Sequence, residues 1–149
     1  MKNYINRSFI DTSIFYSDRY IGLLLIIVGI IFLLNPKNLN LKVSASLILL
    51  GIIVIMIFSI DEKKISKVIT GKQLTGLITL WIILAFFITD NIDADLFSII
   101  VILGIFILKE FSSDFMGLLL KKRMTFLYYL LIIVFTIIIG QRIINVIGI

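Results

Sequence analysis

The chain has 149 residues, 60 % of them hydrophobic, with a mean hydropathy of +1.18 and a formal net charge of +5. That apolar share exceeds the roughly 45–50 % of an ordinary soluble domain, and a fold this small has no core large enough to hide it. Absence of Cys and His excludes disulfides, thiolate chemistry, and the commonest general base and metal ligand.

These limits predict an all-α integral membrane protein, a bundle of about five transmembrane helices in a single polytopic domain over residues 1–149. Residues 1–19 are polar, carry Asp11 and Asp18, and read as a cytoplasmic N-terminal segment. The first apolar run predicts a helix over about 20–35. It is followed by Asn35-Pro36-Lys37, a turn and not a small-residue cleavage site, so it is expected to stay in the membrane. The second helix is predicted over 42–60, closed by Asp61-Glu62-Lys63-Lys64. In the segment that follows, to Gln73, Ile65, Val68 and Ile69 share one helical face.

The third helix is expected over 74–89. It carries Trp81 near its middle, away from the interfaces that tryptophan prefers, so Trp81 reads either as a packing anchor against another helix or a partner subunit, or as a side chain facing lipid. The fourth, over 95–109, has an apolar centre at 96–108 covering only about 20 Å. The alternative is three spanning helices plus a re-entrant hairpin at 74–108. Within 110–121, Phe111, Phe115, Leu118 and Leu119 fall at i, i+4, i+7 and i+8, opposite Glu110, Ser113, Asp114 and Lys121. Followed by Lys122 and Arg123, this pattern predicts an in-plane amphipathic helix that contacts lipid head groups or docks a partner. The fifth helix is predicted over 124–144.

With the N-terminus inside, eleven of the fourteen Lys and Arg fall on inner segments, leaving only Lys37, Lys42 and Arg142 outside. This positive-inside bias predicts a cytoplasmic N-terminus and an external C-terminus, and assigns the basic excess to lipid head groups and not to nucleic acid. Tyr16, Tyr20, Tyr128 and Tyr129 then cluster at the inner interface.

The acidic loop Asp90-Asn91-Ile92-Asp93-Ala94-Asp95 holds the potential metal ligands Asp90, Asp93 and Asp95. It lacks the turn glycine and closing Glu of a Ca²⁺ loop, so a solvated hairpin loop without metal is expected. Arg142, at the same end of the molecule, reads either as a partner for this loop or as an interfacial anchor. The intramembrane hydroxyls, Ser44, Ser46, Ser59, Thr75, Thr79, Ser98 and Thr136, do not align as a pore lining and are expected to bond back to their own helices or across one helix contact. Gly22 and Gly29, seven residues apart, permit close approach of another helix, while Gly51 and Gly104 stand alone.

No charged residue lies at the centre of an apolar run, and no nucleophile–base pair or phosphate-binding loop occurs. The expected role is a non-catalytic accessory, assembly or scaffolding subunit, without cofactor, in contact with the bilayer and with partner subunits or further copies of itself. The alternative is a small transporter or channel component for a neutral or apolar solute. The Ile-rich, Ala-poor composition (35 Ile, 3 Ala) points to a prokaryotic cell membrane.

Overall fold

The computed structural model describes residues 19–34, 37–58, 60 and 69–148. The expected cytoplasmic segment, apart from Arg19, and residues 61–68 of the first amphipathic stretch lie outside the described residues. The helices are α1 (Arg19–Leu33), α2 (Asn38–Ile53, running on into a π-helical turn Val54–Phe58), α3 (Gly71–Ile88), α4 (Ala94–Ser112, ending in a 3-10 turn Ser113–Phe115) and α5 (Leu118–Ile147). Among the described residues there is no strand, only an isolated bridge between Ile69 and Met116. It rests on an Ile69 N–H donated to the Phe115 carbonyl at 2.8 Å and ties the α2–α3 connector to the α4–α5 connector.

Four helical stretches, Leu39–Phe58, Gly71–Ile88, Ala94–Phe115 and Leu118–Ile147, are long and apolar enough to cross a membrane, which suggests a membrane-embedded protein. The first helix is the short one, about 22 Å at ~1.5 Å per residue. The third and fourth, read from sequence as the short pair, are full-length helices of 18 and 19 residues. The sequence estimate counted apolar residues. The backbone continues helically through Lys109 and Glu110 because charged side chains at a helix end can reach out to water.

The in-plane helix over 110–121 is not present as a separate element. Phe111 belongs to α4, Phe115 to the 3-10 turn, and Leu118, Leu119 and Lys121 to the first turns of α5. Met116 and Gly117 are extended, with ψ of 137° and 165°, and break the periodic pattern at its middle. The start of α3 is fixed by a capping box. Thr70 Oγ1 accepts from the Gln73 N–H at 3.3 Å, and the Thr70 N–H donates to Gln73 Oε1 at 3.1 Å. The sequence signature for it, Thr-x-x-Gln, lies before the apolar run and was passed over.

Helix contacts follow the small residues. A Cβ on Gly51 would stand 2.6 Å from the Gly22 carbonyl oxygen, and one on Gly29 would stand 3.1 Å from the Ser44 carbonyl oxygen. So α1 and α2 touch backbone to backbone along an antiparallel seam. On α3, Leu74, Ile78, Ile82 and Ala85 form the buried stripe, while Gly71 meets the Ile57 carbonyl of the π-helical turn. Trp81 lies across Gly104 of α4, where a Cβ would come within 1.8 Å of the indole nitrogen, and its N–H donates to the Ile100 carbonyl at 3.3 Å. On α5 the buried positions are Leu120, Met124, Leu127 and Leu131, all in its first half.

These seams predict which glycines tolerate a methyl group. Gly51→Ala is expected to destabilise the detergent-solubilised protein by about 1–3 kcal/mol, because the clash is with backbone and no side chain can yield. Gly140→Ala, where a Cβ meets nothing within 4 Å, should be neutral or gain up to about 1 kcal/mol of helix propensity. Thermal unfolding of the two variants in the same detergent separates these outcomes.

Candidate functional site

One end of the bundle gathers the start of α2, the end of α3, the start of α4 and the end of α5, and it holds the most unusual side chain. Lys42, one turn into α2, is 2 % exposed, the one charged residue in the buried interior among the described residues. Its ammonium donates to the Thr89 carbonyl and, at 3.4 Å, to the Asp90 carbonyl. The Phe97 ring of α4 lies beneath it, 6.0 Å to the centroid. The last carbonyls of a helix have no intrahelical donor and carry the negative end of its dipole. Lys42 therefore acts as a cationic C-cap for α3, supplied by a different helix. Thr89, 0 % exposed, completes the end by returning its hydroxyl to the Ala85 carbonyl at 2.7 Å. Sequence reading missed this role. The available signal was a lysine with apolar neighbours (Leu41 and Val43) on the side that the charge bias leaves poor in bases.

Of the two readings of Arg142, the tie to the acidic loop is not seen. Among the described residues it makes no ion pair with Asp90, Asp93 or Asp95, and the pinning of this end falls to Lys42. Asp93 is the N-cap residue of α4 and Asp95 sits in its first turn, where carboxylates are favoured by the positive end of the helix dipole. The three aspartates do not converge, and no grouping of three acidic residues able to hold a metal occurs among the described residues.

Five of the seven hydroxyls bond back to their own helices. Ser46, Thr75, Thr79, Ser98 and Thr136 each donate to the carbonyl four residues earlier, at 2.8–2.9 Å. Ser44, buried against α1, is the one fully buried side-chain oxygen without a partner among the described residues, and Ser59 lies outside them.

The opposite end carries basic and aromatic residues. Lys109 sits 4.4 Å from the Tyr128 ring centroid and 3.1 Å from Glu110. Phe106 packs on Tyr128 and Phe135 with centroids 4.7 and 6.3 Å apart. Phe111, Phe115, Leu118 and Leu119 are exposed although they occupy three elements, and Lys121, Lys122 and Arg123 are exposed beside them. Between the ends, α2, α4 and α5 enclose a cavity of about 280 Å³, open on one side. Its walls include Leu49, Phe97, Val101, Leu131, Val134 and Ile138.

Replacing Lys42 with Met keeps the side-chain length and removes the charged donor. Lys42→Met is expected to cost about 1.5–3 kcal/mol, the range for hydrogen bonds made by charged groups, while Lys42→Arg retains part of the cap. Hydrogen exchange should show the loss as faster opening of the last turn of α3, with the first turn unchanged.

Compared with known proteins, the chain matches no protein family, no curated protein and no solved structure.

Proposed function

We propose that the chain is a multi-pass protein of a prokaryotic cell membrane, N-terminus cytoplasmic and C-terminus outside. It serves as a non-catalytic accessory, assembly or scaffolding subunit of a larger membrane complex. The observation that carries this reading is the second half of α5. Beyond Leu131 none of its residues is fully buried: Phe135 and Ile138 pack partly against the core, and Ile133, Ile137, Ile143, Ile144 and Val146 are exposed. Apolar exposure alone is met by lipid, but a helix of 30 residues, about 45 Å, exceeds a hydrocarbon core of about 30 Å and extends past what its own bundle covers. A partner helix laid along this face would cover it.

The charge chemistry supports the same reading. Transport of ions or protons uses ionisable groups inside the membrane. The single buried cation among the described residues, Lys42, is committed to the carbonyls at the end of α3. The second reading, a transporter or channel component for a neutral or apolar solute, draws on the side-opening cavity between α2, α4 and α5.

Two measurements test the proposal. With a photo-reactive residue at Ile137 or Val146, a tagged chain extracted in mild detergent should crosslink to one partner polypeptide in stoichiometric yield. A monomer or a homo-oligomer instead moves the weight to an autonomous carrier, to be assayed by flux in liposomes. For orientation, the chain's lack of Cys makes single-cysteine labelling clean. Asn91→Cys should react with an impermeant maleimide in intact cells and Lys122→Cys only after permeabilisation. The reverse pattern inverts the topology.

A further inference from the structure

At the end opposite the Lys42 cap, α5 opens with three consecutive bases, Lys121, Lys122 and Arg123, all exposed. Among the described residues none of the three is in an ion pair or over an aromatic ring, whereas neighbouring Lys109 is held by Glu110 and the Tyr128 ring. The next charged residue along the helix is Arg142, about 28 Å beyond Arg123, which matches a hydrocarbon core of about 30 Å. An embedded α5 therefore sets the three bases at the level of the lipid phosphates. Apolar side chains are interleaved with them. Leu118, Lys122 and Tyr129 share the face of α5 opposite the buried Leu120, Met124, Leu127 and Leu131, and Phe111 and Phe115 are exposed on the approach from α4. Leu118, 88 % exposed, is the most exposed large apolar side chain among the described residues. Water would leave these apolar groups uncovered, and hydrocarbon would strand three unpaired charges. The head-group boundary meets both demands. Charge then selects the head group. Among the described residues this end carries Arg19, Lys72, Lys109, Lys121, Lys122 and Arg123 against Glu110 and Asp114. The opposite end sets Lys37, Lys42 and Arg142 against Asp90, Asp93 and Asp95, and is balanced.

We propose that the α4–α5 corner docks anionic phospholipids, their phosphates on Lys121, Lys122 and Arg123 and their acyl chains along the exposed Phe126 and Tyr129, one and two turns deeper on α5. Unpaired bases favour a phosphodiester with no ammonium to offset it over a phosphocholine head group, whose charges cancel. The inference goes beyond the accessory-subunit reading. It needs a membrane-embedded chain, requires no partner subunit and holds for either orientation, so each can fail without the other.

The purified full chain is reconstituted in phosphatidylcholine vesicles containing a trace of spin-labelled phosphatidylglycerol or spin-labelled phosphatidylcholine. Electron paramagnetic resonance then reads the fraction of each label held at the protein surface. At about 0.01 M salt the phosphatidylglycerol label is expected to associate about fivefold more strongly than the phosphatidylcholine label. At about 1 M salt, where the Debye length is about 3 Å, the two should become equal. Lys121→Gln, Lys122→Gln and Arg123→Gln combined should remove the preference at low salt. Lys37→Gln, at an exposed base of the opposite end, should leave it unchanged. If the triple variant does not fold, Lys122→Gln alone decides, with an expected fall of about twofold. Equal association of the two labels at low salt overturns the proposal. So does a preference that survives high salt or the charge removals on α5, or one that Lys37→Gln lowers as far as they do.

Discussion

A polar group surrounded by hydrocarbon has only the partners its own chain can bring to it, and this end-to-end constraint explains where the bundle is tight. At the end of α3 the Thr89 carbonyl accepts from the Ile92 N–H of the turn at 3.1 Å, and a lysine from α2 adds a second donor, its ammonium on the Thr89 and Asp90 oxygens with an aromatic ring beneath. Because Phe97 also packs on Phe86 at 4.6 Å, the capped end, the α3–α4 turn and the start of α4 form one connected cluster. Trp81 follows the same logic one layer deeper. Its indole N–H has a carbonyl to meet because Gly104, without a Cβ, lets the ring approach the backbone of α4.

Packing among such helices cannot rely on burial of apolar surface, since lipid tails are as apolar as Ile or Leu. It relies on close approach. The chain has no GxxxG motif, and its glycines work across helices instead of along one. Gly22 receives Gly51, Gly29 receives the backbone at Ser44, Gly104 receives Trp81, and Gly71 receives the π-helical turn. That turn widens the end of α2 and aims Ile57, fully buried, at the junction where α3 begins. The bridge between Ile69 and Met116 then joins the two connectors at this end, opposite the Lys42 cap. Both ends of α3 are thereby tied, one by charge and one by backbone.

The sequence made legible whatever depends on composition along a single helix. The apolar runs behind the four long helices, the back-bonded hydroxyls of Ser46, Thr75, Thr79, Ser98 and Thr136, and the packing of Trp81 on another helix are legible from apolar runs and the exceptions within them. Lost were the features that two segments create together. Gly51 and Gly104 stood alone because their counterparts lie on other helices. Lys42 was counted as a loop base because the carbonyls it caps are 47 residues away. The amphipathic pattern at 110–121 was real as a pattern, and its apolar members are exposed as a membrane-surface helix would leave them. A period of 3.6 cannot reveal that Met116 and Gly117 interrupt the backbone carrying it. Of the two readings of Arg142, the tie to the acidic loop depends on contacts between helices that spacing along one helix does not carry, and no ion pair with Asp90, Asp93 or Asp95 is present among the described residues.

The uneven burial along α5 links the fold to its use. The first half of α5 is held by Leu120, Met124, Leu127 and Leu131 and by the aromatic contacts around Phe106. Beyond Leu131 the helix has no buried residue, although nothing in its sequence, with Ile at 132, 133, 137, 138 and 139, makes it less apolar there. Hydropathy is therefore not what ends the packing; the small residues that permit close approach are absent from the contact. Gly140, the one glycine in this half, meets nothing within 4 Å. A helix that could have been zipped to its neighbours by one or two glycines, and is not, leaves an apolar slot on one side and an uncovered face on the other. The reading of the molecule as a subunit for partners follows from that missing approach and not from any reactive group.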